Sequence, residues 1–235
     1  MRKSEMIRVA QRGIHDMVGY FHYGLANYRY PSRTAIMQHI RQIKRDRKML
    51  LTPVEAYQLY AAATAVRKVP GDVAEVGVFR GASAKLIRFA LPDKPLHLFD
   101  TFEGLPQPDA IDGDLRLGEF SCGLDEVKRY LGSEINTHFH AGIFPDSGIP
   151  ARDRKFAFVH LDMDLFDGTL AALNWFYPKM LAGGIIITHD YAVLPGPTKA
   201  FNEFFSEKPE PMIELSGSQC MAIKLSCHED AALNG

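Results

Sequence analysis

Five acids and one histidine in this sequence are placed where a folded chain could use them for chemistry: Glu75, Asp100, Asp162, Asp164, Asp190 and His189. The stretch VAEVGVFRGASA (73–84) sets Glu75 in an apolar run and follows it with Gly77 and Gly81. Glycines in a turn after a strand let a ligand approach the backbone, because a side chain there would occupy the ligand's space. The pattern is E-x-G-x-x-x-G rather than the G-x-G-x-x-G of a dinucleotide turn. A carboxylate at that place repels a diphosphate and favours a cationic ligand, such as the sulfonium and ammonium groups of S-adenosylmethionine. The alternative is a strand-end acid in an ordinary tight turn.

Asp100 closes the apolar run of LFDTFEG, one strand–helix unit after the glycines. An acid there can accept both hydroxyls of an adenosine ribose, with Phe102 packing against the adenine; otherwise Asp100 caps a loop. In VHLDMDLFDGT, Asp162 and Asp164 alternate along an emerging strand end, and THDY brings His189 and Asp190 to the same edge. Two acids and a histidine from neighbouring strands could hold one divalent cation, although Mg²⁺ prefers oxygen to imidazole. Alternatively, His189 and Asp190 bond each other or a loop. His138 and His140 alternate on a strand among apolar neighbours and read as structural.

These groups need a scaffold, and the patterning supplies one. Thr52, Pro53 and Glu55 form an N-cap, a first-turn proline and an N3 acid ahead of a helix over 51–67, which the turn at Pro70-Gly71 ends. Strand and helix signals then alternate to residue 206, with near-continuous apolar strands such as Ile185–Ile187, and a hairpin around Gly217-Ser218 closes the run. That alternation indicates a parallel sheet covered on both faces. The expected organisation is an N-terminal helical extension or lid (1–50), a catalytic domain (51–227) and a frayed tail (228–235). Tyr20, Phe21, Tyr23, Tyr28 and Tyr30 raise the expectation of an acceptor pocket, a lid or a homo-oligomer.

The 235 residues carry a net charge of −1, which gives no reason to expect nucleic acid; the basic run Arg41–Lys48 reads as a solvated helix face. Cys122, Cys220 and Cys227 lack metal-finger or CxxC spacing and read as free thiols. No long apolar segment suggests a membrane span or leader. The expectation is a cytoplasmic protein.

The segments GDVAEVGVFRGASA, LHLFDTFEGLP, FVHLDMDLFDGTLAALNWFYPKMLAGGIIITHDY and PGPTKAFNEFF resemble the macrocin-type O-methyltransferases, in order and with similar spacing over about residues 50–206. The resemblance implies a Rossmann-like methyltransferase fold, α/β, with a mostly parallel seven-stranded sheet, its last strand inserted antiparallel, and helices on both faces. It implies methyl transfer from S-adenosylmethionine to a hydroxyl of a small natural product or sugar. Glu75, Gly77 and Gly81 would hold the methionine part of the cofactor, Ser83 its carboxylate and Asp100 its ribose. Family members bind Mg²⁺ through an acid after the fourth strand and paired acids after the fifth. Asp162 and Asp190 fit that pattern, and His189 departs from it. Asp162, His189 and Asp164 are the candidate bases. Two other readings stand beside this one: a nicotinamide-dependent oxidoreductase, and a cofactor-binding module without catalysis, which His189 favours.

Overall fold

A computed structural model describes residues 33–132 and 136–226. The aromatics at 20–30, Cys227 and the tail lie outside the described residues. The chain runs α1 (Thr34–Asp46), α2 (Pro53–Ala65), β1 (Asp72–Val76), α3 (Ala82–Ala90), β2 (Leu96–Asp100), α4 (Leu124–Leu131), β3 (Thr137–Ala141), β4 (Phe156–Leu161), α5 (Phe166–Phe176), β5 (Met180–Thr188), α6 (Pro195–Phe205), β6 (Met212–Glu214) and β7 (Cys220–Ile223). The strands form one seven-stranded sheet in the order β3-β2-β1-β4-β5-β7-β6. β1 to β5 are parallel, and β7 enters antiparallel between β5 and β6.

The pleat sends alternate residues to opposite faces. Val73, Leu98, Phe158 and Ile187 pack under α1, α2 and α3, whereas Ala74, Phe99, Val159 and Ile186 pack under α5 and α6. Ile36, Met37, Ile40 and Ile43 of α1 belong to the first of these clusters. The helix inside the expected N-terminal extension is therefore part of the main core among the described residues. α2 starts with the expected capping box: Thr52 accepts from the Glu55 N–H, and Glu55 accepts from the Thr52 N–H.

Where β1 ends, its backbone meets β4. The Asp162 N–H donates to the Val76 carbonyl, and the Gly77 N–H donates to the Phe99 carbonyl. Gly77 has φ +86°, and a Cβ there would lie 1.8 Å from the Asp162 carbonyl oxygen. Gly81 has φ +80° as the N-cap of α3, and its Cβ would press on Val127, Tyr130 and Leu131 of α4. Both glycines were expected to clear space for a ligand. What crowds them is the protein itself: the end of β4 at Gly77 and α4 at Gly81.

At the opposite end of the sheet, Arg154 and His97 share Asp72, and His97 Nδ1 lies 3.0 Å from His140 Nε2. His138 stacks on His97 from the edge strand. This agrees with a structural reading of His138 and His140. Burial lowers the His97 pKa against the pull of Asp72, and burial together with His97 and His138 lowers that of His140 to about 4. Both rings are harder to protonate in the folded protein than in the unfolded chain, where the value is near 6.5. Stability from this pair is complete above that value and falls as pH drops towards 4.

Two outcomes are expected. The urea midpoint of the wild type should drop between pH 7 and pH 5 by more than that of His140→Phe, and equal drops would contradict the account. Gly77→Ala should destabilise the fold by on the order of 3–5 kcal/mol, through backbone strain and collision with Asp162, measured by chemical denaturation.

Candidate active site

On the face beneath α2 and α3, the pleat lines up Glu75, Asp100, His160, Asp162 and His189 at or just beyond the carboxyl ends of β1, β2, β4 and β5. Glu75 is fully buried, and its Oε1 bonds His160 Nδ1 at 2.9 Å across the β1–β4 ladder. Ser83, at the start of α3, neighbours the same carboxyl, but Glu75 Oε2 and His160 Nε2 have no hydrogen-bond partner. Burial pushes the Glu75 carboxyl up, and His160 only partly opposes that. Glu75 is thus a buried group beneath the turn, with one acceptor oxygen left without a partner.

Asp100 organises the turn. Its Oδ2 accepts from the Val78 and Phe79 N–H groups at 2.6 and 2.9 Å, and its Oδ1 accepts from the Phe102 N–H at 2.7 Å. The second lone pair of Oδ1 meets only the Thr101 hydroxyl, at 3.5 Å. Phe102, expected against an adenine, belongs to the core cluster on this face of the sheet, with φ +58°. Its apolar ring finds cover inside the protein, and its backbone serves Asp100.

Strand β4 ends at Leu161, so Asp162 and Asp164 do not alternate along a strand as expected; both lie in the loop, and Asp164 is left-handed at φ +63°. Asp190 is left-handed as well, at φ +57°. Donor atoms of Asp162, His189 and Asp190 lie within 4.8 Å of one another. His189 Nδ1 is 3.3 Å from Asp162 Oδ1 and 3.1 Å from Asp190 Oδ2, yet it is buried without a well-formed hydrogen bond. Burial disfavours a charged ring, but the Asp162 and Asp190 carboxylates outweigh it and hold the His189 pKa well above that of free imidazole. Burial and the Asp190 and Asp162 charges push the Asp164 carboxyl well up.

The other ring nitrogen faces a second carboxylate. Glu55 Oε1 accepts from the Ser218 hydroxyl and N–H, each at 2.8 Å, and Oε2 lies 3.7 Å from His189 Nε2. The Ser218 oxygen is 3.2 Å from the same nitrogen. These contacts hold the Glu55 carboxyl far below the usual carboxylate range despite its burial.

The donor set fits a divalent cation. The Ser218 hydroxyl has one proton, which goes to Glu55, so the atoms facing Nε2 are acceptors and Nε2 carries the ring hydrogen. Nδ1 then points a lone pair at two carboxylates, an arrangement that needs either a proton or a metal ion between them.

Sequence reasoning missed four residues here. His160 stands in an apolar strand, and only the β1–β4 register sets it opposite Glu75. Glu55 was legible as a capping acid but not as a neighbour of His189, and Ser218 was read only as part of a turn. Asp112, 4% exposed, accepts from the Phe166 N–H at the start of α5 and lies where a Cβ on Gly196 would collide, which ties the β2–α4 loop across the site.

Known proteins resemble this arrangement. The "8-demethyl-8-(2,3-dimethoxy-alpha-L-rhamnosyl)-tetracenomycin-C 4'-O-methyltransferase" of Streptomyces olivaceus is 32% identical over 142 residues, 53% of this chain and 54% of that protein. The "Demethyldecarbamoylnovobiocin O-methyltransferase" of Streptomyces niveus is 29% identical over 153 residues, 58% of each. The chain thus aligns with little more than half the length of these relatives. The solved structure of the O-methyltransferase NovP superposes with a TM-score of 0.68 at 24% identity, covering 76% of this chain and 82% of that one, which establishes a shared fold. The sequence profile of the Macrocin-O-methyltransferase (TylF) family matches residues 54–218, a span that holds Glu55, the glycine turn, both strand-end acids, His189 and Ser218. With most of the chain inside that match, the protein belongs to the macrocin-O-methyltransferase family.

Proposed function

We propose that this chain transfers the methyl group of S-adenosylmethionine to a hydroxyl of a small natural product or sugar, with a divalent cation held by Asp162, His189 and Asp190. The observation that carries the reading is the convergence of those three side chains beside the glycine turn, in a chain of this family. The relatives named above methylate oxygen by their own names.

The reaction is an in-line displacement: the acceptor oxygen bonds the methyl carbon as the carbon–sulfur bond breaks, and the acceptor's proton leaves to a base. S-adenosylmethionine supplies the electrophilic carbon, and a bound cation would lower the pKa of an acceptor hydroxyl. What the protein adds is mostly positioning. Asp162 is the base we favour. Its backbone is locked to β1 through Val76 and Gly77, so its carboxylate has a fixed place relative to the cofactor turn. Asp164 and the cation-facing His189 are the other candidates. Asp100 shapes the turn through Val78 and Phe79 and has capacity left at Oδ1 for a ribose hydroxyl. Glu75 Oε2 and Ser83 remain for the polar groups of the methionine end. The net charge of −1 supports a small uncharged acceptor over a polyanion. The unpaired thiols of Cys122 and Cys220 support a reducing, cytoplasmic setting. No helix among the described residues is long and apolar enough to cross a membrane.

Two measurements test this. S-adenosylhomocysteine should raise the melting temperature by mass action while NAD leaves it unchanged; a shift with NAD alone would overturn the assignment. Asp162→Asn should lower methyl transfer to a hydroxylated acceptor by about 10²–10⁴-fold while leaving S-adenosylhomocysteine affinity within roughly twofold. Calorimetric loss of cofactor binding in that variant would contradict this division of labour.

A further inference from the structure

The cation site proposed above contains an imidazole, and the inference that follows rests on that reading. His189 is held from behind by groups remote in sequence. Glu55 is only 4% exposed, and its two oxygens take the Ser218 N–H, the Ser218 hydroxyl, the Thr52 N–H and the Thr52 hydroxyl, each at 2.8 Å. The neighbouring Gly217, at φ +101°, has no room for a side chain, since a Cβ would lie 2.6 Å from Glu55 Oε1. The hairpin turn between β6 and β7 is therefore fitted to a buried carboxylate at the start of α2, and that carboxylate faces His189.

The hydrogen-bond inventory decides how the ring stands. A serine hydroxyl has one hydrogen and two lone pairs. The Ser218 hydrogen is directed to Glu55 Oε1, which leaves a lone pair towards His189 Nε2 at 3.2 Å, with Glu55 Oε2 behind it at 3.7 Å. Nε2 can only donate there, so the lone pair of the neutral ring is confined to Nδ1, between Asp162 and Asp190. A carboxylate behind a histidine ligand fixes its tautomer and orientation, and loss of such a partner lowers metal affinity by about 10–100-fold. Imidazole donors favour first-row transition ions, whereas Mg²⁺ favours oxygen.

We propose that Glu55, together with Ser218, is a positioning residue that holds His189 with Nδ1 turned to the cation position, so that this site prefers Co²⁺ to Mg²⁺. Asp162 and Asp190 supply the charge that any divalent ion needs. His189 supplies the discrimination between ions, and Glu55 keeps it available. A glutamine at position 55 would offer an N–H to Nε2, allowing the tautomer in which Nδ1 carries the hydrogen and cannot ligate.

The test is calorimetric titration of the metal-stripped full chain with CoCl₂, MnCl₂ and MgCl₂, for the wild type, Glu55→Gln, Ser218→Ala and His189→Asp. The wild type should bind Co²⁺ at least about tenfold more tightly than Mg²⁺. Glu55→Gln should lose about 10–100-fold for Co²⁺ and much less for Mg²⁺, so the ratio falls. Ser218→Ala, which leaves the Thr52–Glu55 capping box intact, should move the ratio the same way by a smaller factor. His189→Asp should invert the preference. Mere loosening of the site would weaken both ions alike and leave the ratio unchanged. The Co²⁺-loaded wild type should also show a hyperfine-shifted, exchangeable imidazole N–H in its proton spectrum, absent from Glu55→Gln. Cation binding with the same Co²⁺-to-Mg²⁺ ratio in wild type, Glu55→Gln and Ser218→Ala would overturn the positioning role alone. A wild type that binds none of the three ions would overturn the cation site and this inference together, while methyl transfer without added metal could still stand.

Discussion

The active edge depends on a contact that only a glycine permits: the backbone of Gly77 against the carbonyl of Asp162, with no space for a Cβ between them. That approach closes the end of β1 on the end of β4. It brings the turn that would face a cofactor and the acid that would face an acceptor into one rigid unit. The Asp162 N–H to the Val76 carbonyl and the Gly77 N–H to the Phe99 carbonyl extend the ladder past the last strand residues. Catalysis by positioning needs its groups mounted on regular elements rather than free loops, and this junction supplies the mounting.

Around it the protein gathers several acids at one buried and half-buried edge. Glu55, Asp162, Asp164 and Asp190 surround a single imidazole. Glu55 is met by backbone and hydroxyl donors from two elements. Asp164 is pushed well up by burial and by the charges of Asp190 and Asp162. The Asp162 and Asp190 carboxylates raise the His189 pKa against the effect of burial. Burying one of these carboxylates without its partner would cost several kcal/mol, on the order of 3–5. The left-handed backbones of Asp164 and Asp190 are further strain concentrated at the same edge, where strained residues commonly serve function.

The opposite end of the sheet shows the same amino acids used for structure. Asp72, His97 and His140 form a hydrogen-bonded chain much like that of Glu55, Ser218 and His189, but it faces the amino-terminal side of the strands. There it joins three neighbouring strands, starting from the first residue of β1. Residue type and spacing do not separate the two clusters; their position relative to strand direction does.

The elements themselves were legible. Thr52, Pro53 and Glu55 announce α2, the apolar run of Ile185–Ile187 announces a buried strand, and each expected strand from residue 72 onward is present within a few residues, because these signals are local backbone and burial preferences. The meeting of Asp162, His189 and Asp190 was also readable, since parallel strands deliver their carboxyl ends to one edge. Pairings between strands were not. That His160 answers Glu75 depends on register, and register is set by the whole sheet. The reason for Gly77 lies 85 residues away in the carbonyl of Asp162. Glu55 looked complete as a helix cap, and only the folded hairpin gave it Ser218 and His189 as neighbours. The sequence by itself determined which segments form strands and helices and which acids gather at the carboxyl edge, since both follow from periodicity and chain direction. The tertiary structure alone decided which acid meets which base, because hydrogen bonds and charge act over a few ångströms and those distances exist only once the layers have packed.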